Sequence, residues 1–188
     1  MIRLIVGLGN PGLQYQRTRH NAGFLFLDRL VLVNLGANWQ VDRQFCSELS
    51  EINVSGRILA IKPSTFMNKS GQAVAKIASF YKIKPEEILV VHDELELAVG
   101  QMKMKFGGGH AGHNGLRDII AQIGSADFYR LRIGIGRPVV GSVADYVLSK
   151  PSIDVQQELE SVTALAVAEI KNLISGDVDK FNQLLARV

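Results

Sequence analysis

Four histidines and the carboxylates near them are the residues of this 188-residue chain best suited to chemistry. His20 lies in a polar stretch, 9–21. His92 comes just before Asp93 and Glu94, at the end of an apolar run. His110 and His113 flank or lie within a glycine-rich stretch, 107–112. A histidine whose ring N–H is held by a carboxylate keeps one tautomer, and its other nitrogen can take a proton from water. His20 and Asp93 suit those two roles, because a loop after a buried strand can present a carboxylate to a cleft. Ester cleavage also needs donors for a developing oxyanion. Asn10, Asn68 and Asn114 fall at loop or cap positions and carry such uncharged donors. Each taken alone reads better as turn or cap chemistry.

Other chemistries fit less well. Gly7-Leu8-Gly9-Asn10-Pro11-Gly12 satisfies the glycine spacing of a dinucleotide-binding turn. Pro11, however, removes a backbone donor, and no amphipathic helix follows directly. A metal-dependent hydrolase could be assembled from His92, His110 and His113, but no helix is expected to fix their spacing. There is no G-x-S-x-G elbow, and Cys46 has no nearby motif, so a covalent nucleophile is not expected.

These residues must be placed by a core. The apolar run 4–8 reads as a buried central strand, and the chain start does not read as a signal peptide. Helices are expected over 22–35 and 71–81, and a hairpin over 48–54 and 57–61. Residues 88–91 give a buried strand ending in His92-Asp93-Glu94. Along 101–106 the pattern alternates, with Met102, Met104 and Phe106 on one face and Lys103 and Lys105 on the other. A short helix spans 116–123 with Asn114 near its cap. Residues 128–135 alternate again and put Arg130 and Arg132 on one face. Helices over 153–174 and 178–186 close the chain. The interleaving predicts an α/β fold, a single-domain three-layer sandwich with a twisted mixed β-sheet flanked by helices, over 1–188.

Hydrophobic residues make up 47% of the chain and charged residues 21%, an ordinary globular balance. No stretch approaches the roughly 20 apolar residues that span a bilayer, so no membrane partner is expected. One cysteine excludes an internal disulfide and fits a reducing, cytoplasmic compartment. The net charge of +3 is unevenly spread. Residues 151–188 hold 3 basic and 6 acidic residues, leaving 18 and 12 for residues 1–150, net charges of −3 and +6. The basic excess suggests a polyanionic partner, although for charge alone a solvated surface reads slightly better.

Several segments together resemble the bacterial-type peptidyl-tRNA hydrolases. They are Gly7–Gly12, Tyr15, Thr18-Arg19-His20-Asn21, Phe66-Met67-Asn68 with Ser70-Gly71, and His92-Asp93-Glu94-Leu95. Lys105 with Gly107–Gly109, Gly112-His113-Asn114-Gly115-Leu116 and the run from Arg130 to Pro138 complete the set. The resemblance covers nearly the whole chain and is weakest after about residue 150. It implies a monomer without metal or organic cofactor that hydrolyses the ester between a peptide and the 3′-terminal ribose of tRNA. His20 would be the general base, oriented by Asp93. Asn10 would help recognise a blocked peptide nitrogen. Asn68 and Asn114 would bind the peptide and the 3′ end. Tyr15, Phe66 and Met67 would line the cleft, with His113 close to substrate, and Lys105 and Arg132 would clamp the tRNA 5′ phosphate. Glu96 stands where the family usually has Asp, and Ala98 where it usually has Pro, in the loop after Asp93. A non-catalytic RNA-binding module is the competing reading of the same basic face.

Overall fold

The computed structural model describes residues 1–186, built on one seven-stranded sheet. Its strands are β1 (Leu4–Gly7), β2 (Gln40–Asp42), β3 (Ser47–Asn53), β4 (Arg57–Pro63), β5 (Ile88–Glu94), β6 (Met102–Phe106) and β7 (Tyr129–Gly134). Their order is β2-β3-β4-β1-β5-β7-β6. The central pairs β4–β1, β1–β5 and β5–β7 are parallel, and the outer pairs are antiparallel. The helices are α1 (Ala22–Val33), α2 (Ser70–Phe80), α3 (Asn114–Ile123), α4 (Val143–Leu148), α5 (Ile153–Ala168), α6 (Ile170–Ser175) and α7 (Val178–Leu185).

Continuous apolar runs became the central parallel strands because helices cover both faces of the sheet. All four residues of β1 are buried. Phe26, Leu27, Leu30 and Val31 of α1 pack with α5–α7 on one face, while α2 and α3 cover the other. Alternation placed the edge strands. Met102 and Met104 of β6 enter the first core, and Lys103 and Lys105 face away from it. Phe106 shares the methionine face, but at the rim, 47% exposed and against Tyr129.

Some expectations needed adjusting. β2 is three residues long and lies outside the core, two of its residues exposed and one half-buried, so it carries no apolar signal. α4 was also not anticipated, although Ser142 caps it by accepting from the Asp145 N–H. The long helix over 153–174 breaks at Glu169 into α5 and α6. The acidic C-terminal part packs on the sheet through Val162, Ala166, Leu173 and Phe181. The Asn182 amide holds it there, accepting from the Met104 N–H at 2.7 Å and donating to the Met104 carbonyl at 2.9 Å. Among the described residues, no helix is long and apolar enough to cross a membrane.

Candidate active site

The site forms where β1 and β5 end, at the carboxyl edge of the parallel strands, where open α/β sheets leave a crevice. Asp93 occupies the last-but-one position of β5 and is 4% exposed. His20 approaches it on a 3-10 turn, Arg19–Asn21, that leads straight into α1. Two glycines make that approach possible. A Cβ on Gly7 would lie 2.5 Å from the Gly23 carbonyl oxygen, and one on Gly23 would lie 2.3 Å from that of Val91. Any side chain at either position would push the start of α1, and His20 with it, off the strands.

His20 Nδ1 lies 3.0 Å from both carboxylate oxygens of Asp93. A carboxylate only accepts, so Nδ1 carries the proton and Nε2 keeps a free lone pair. His113 bonds the same carboxylate, with Nε2 at 3.0 Å from Oδ1. Its tautomer is fixed from behind, because Nδ1 accepts the Leu116 N–H as the cap of α3. His113 is the cap and Asn114 beside it the first helical residue, so the helix starts two residues earlier than the expected 116. The loop histidine thus has a fixed place after all.

His92 lies against the same cluster, its ring 5.1 Å from that of His113. Its Nδ1 is 2.7 Å from the Asp93 carbonyl, and its buried Nε2 has no partner among the described residues. Burial, assisted by His113, pushes its pKa down to about 3, so the ring is neutral at physiological pH. For Asp93, burial works to raise the pKa, but His113 and His20 outweigh it and hold the carboxyl below its ordinary value. The centre is therefore an ionised carboxylate receiving two imidazole N–H bonds. His20, Asp93 and His113 also place potential metal-ligand atoms within 4.8 Å of one another. In that arrangement the nitrogens facing Asp93 are already used as hydrogen-bond donors to it. His92 and His110 do not belong to this group.

Asn21 bonds both backbone groups of Asn10, accepting its N–H and donating to its carbonyl, each at 2.9 Å. The Asn10 Oδ1 accepts the Met67 N–H at 2.8 Å, which orients the amide and leaves its Nδ2 as a donor without a partner among the described residues. Met67 is buried and supports α3, since a Cβ on Gly115 would lie 2.6 Å from its sulfur. Asn68 and Asn114 are exposed on the elements either side of this contact. The Arg117 guanidinium donates to Asn114 Oδ1 at 3.2 Å. Tyr15 and Phe66 form an edge-to-face pair 6.3 Å apart, and Phe66 is 56% exposed.

Lys105 and Arg132 lie on the neighbouring strands β6 and β7, where the register opposes Lys105 to Arg130 and Lys103 to Arg132. All four basic side chains therefore share one face. Arg132 pairs with Glu94 at 2.9 Å. The loop after Asp93 is held mainly by its backbone: Gly136 donates to Leu97, Gly134 to Gln101 and Gln101 to Ala98. That explains why Ala98 suffices, and Glu96 is occupied by Arg137 Nε at 2.9 Å.

A family model described as peptidyl-tRNA hydrolase matches residues 4–187. The chain belongs to the peptidyl-tRNA hydrolase family. A relative of that name from Methylococcus capsulatus is 52% identical over 181 residues, covering 96% of each chain. One from Neisseria gonorrhoeae is 48% identical over 186 residues, covering 98% of this chain and 96% of its own. The crystal structure of peptidyl-tRNA hydrolase from Acinetobacter baumannii superposes with a TM-score of 0.92 at 42% identity, covering 98% of this chain and 94% of that one. The fold of this chain is therefore that of the peptidyl-tRNA hydrolases.

Three features of the site were not assigned by sequence reasoning. Asn21 carries no signal in its residue type that it holds Asn10. The Gly7–Gly23 contact is invisible because it joins distant parts of two elements. Alternation puts Arg130 on the face of Arg132 but does not reveal that it is 1% exposed.

Proposed function

We propose that this chain hydrolyses the ester joining a peptide to the 3′-terminal ribose of tRNA, with His20 as general base. The observation that carries the reading is His20 Nδ1 held by both oxygens of Asp93, with Nε2 left free. Water attacks the ester carbonyl and its proton passes to Nε2. The oxyanion then collapses, the ribose oxygen leaves, and it takes the proton back from the imidazolium. The negative Asp93 stabilises that imidazolium; general-base help of this kind contributes roughly 10²–10⁴-fold. His113 holds Asp93 in place close to substrate.

Asn10 offers only its Nδ2, because Met67 occupies its oxygen. An N–H donor suits the carbonyl attached to a blocked nitrogen and offers nothing to a protonated free amine. Asn68 and Asn114 contact the peptide and the 3′ end beside it, and Tyr15 and Phe66 line the cleft, with Met67 buried against α3 rather than lining it. Lys105 and Arg132 take the 5′ phosphate, giving affinity without reading sequence. The enzyme works as a cytoplasmic monomer, without a metal.

Release measured from N-acetylaminoacyl-tRNA and from free aminoacyl-tRNA tests this. Strong preference for the blocked substrate, unchanged after thorough chelation, is expected. An intact ester on both would leave only the RNA-binding reading.

A further inference from the structure

Arg130 is the most buried cation of the basic face, 1% exposed, and no carboxylate pairs with it among the described residues. Its Nε has no hydrogen-bond partner there. The guanidinium stands 4.7 Å over the Phe128 ring, and its two terminal nitrogens donate to the carbonyls of Gly108 and Gly109. A buried charge without a counter-charge is costly. It is made costlier by Arg132 two residues along the strand and by Lys105 opposite in the register. Burial and these neighbouring cations hold Lys105 and Arg130 below their ordinary pKa values, with Glu94 as partial relief. An arriving anion would remove that repulsion.

The backbone offers donors for such an anion. In a trans peptide the C=O and the following N–H point in opposite directions. With the Gly108 and Gly109 carbonyls drawn onto Arg130, the N–H groups of Gly109 and His110 face away from it. Neither bonds any described residue. Gly107 and Gly108 both have positive φ, 66° and 98°, which lets the chain turn its carbonyls inward. Consecutive N–H groups facing one way form an anion-binding nest. Lys105 Nζ lies beside the same loop, 2.8 Å from where a Cβ on Gly108 would be.

We propose that the Gly109 and His110 amides, with Lys105, form a phosphate-oxyanion subsite, and that Arg130 is the positioning residue that turns the glycine loop toward it. The inference rests on the tRNA reading above and adds to it donors that no side chain supplies. Arginine is required because its planar fork spans two carbonyls; a lysine would supply charge but only a point donor.

Amide NMR of the full chain, titrated with a 5′-phosphorylated acceptor-stem minihelix and with its 5′-hydroxyl form, tests the subsite. The Gly109 and His110 amides should be among the most strongly shifted by the phosphorylated form. An equal shift with the 5′-hydroxyl form would keep the nest and assign it to an internucleotide phosphate. Arg130→Lys, with binding followed by the same titration, should keep the salt dependence of binding but lose about tenfold in affinity for the phosphorylated form, the size of one charge-assisted bond. Unmoved Gly109 and His110 amides in a wild-type protein that binds the minihelix and turns over blocked aminoacyl-tRNA would overturn the inference alone. Failure of both binding and turnover would instead sink the hydrolase reading beneath it.

Discussion

The polar cluster at the end of β5 and the basic face at the β6–β7 edge use charge in opposite ways. In the first, one carboxylate is matched by two imidazole N–H donors at 3.0 Å, and buried glycine contacts fix the elements that carry them. In the second, four cations share a face, and among the described residues the carboxylate that pairs with one of them is Glu94. A satisfied, buried cluster gives orientation and holds its groups still before substrate arrives. An unsatisfied cationic face gives attraction that only a polyanion relieves. Damage to the first should therefore strike the chemical step, and damage to the second should strike binding.

The largest effect is expected from Asp93→Asn, which keeps the shape but removes the charge that fixes the His20 tautomer. Turnover should fall roughly 10²–10⁴-fold with little change in tRNA affinity. Equal losses in both would erase the contrast between the regions. Gly23→Ala comes next. The added methyl meets the Val91 carbonyl, so stability should fall by about 1–3 kcal/mol, with a drop in turnover as His20 shifts. Calorimetry and steady-state kinetics on the same preparation read both.

His92 sharpens the comparison through pH. Its folded pKa of about 3 lies below the ordinary 6.5, so in that interval the unfolded chain binds a proton that the folded chain refuses. Stability is full above about pH 6.5 and is lost as pH falls toward 3, with a slope approaching ~1.4 kcal/mol per pH unit. Urea titrations from pH 7 to 4 should show that slope, and His92→Phe should flatten it. The smallest effect belongs to Lys105→Ala, which should weaken tRNA binding severalfold and lower the salt slope by about 1. An unchanged slope would place the phosphate elsewhere.

Much of this was legible in the sequence, for reasons that differ by residue. β1 and β5 announce themselves because strands covered on both faces must be apolar throughout, and Asp93 is then read off the end of one of them. The alternation of Met102, Lys103, Met104 and Lys105 fixes which way the edge strand faces. β2 escapes because three largely exposed residues leave no pattern. His20 and Asp93 could be nominated by type and loop position. The bond from His113 could not, since it depends on how the glycine loop returns to α3. Burial of Arg130 was illegible for a related reason: alternation assigns a face, while depth depends on what the loop places above it.

The central claim is that His20 takes the proton and does little else. Single-turnover cleavage of N-acetylaminoacyl-tRNA by His20→Ala, with tRNA affinity measured on the same variant, tests it most directly. The expected result is near-complete loss of cleavage with affinity close to that of the unaltered chain. Cleavage at the ordinary rate would contradict the claim.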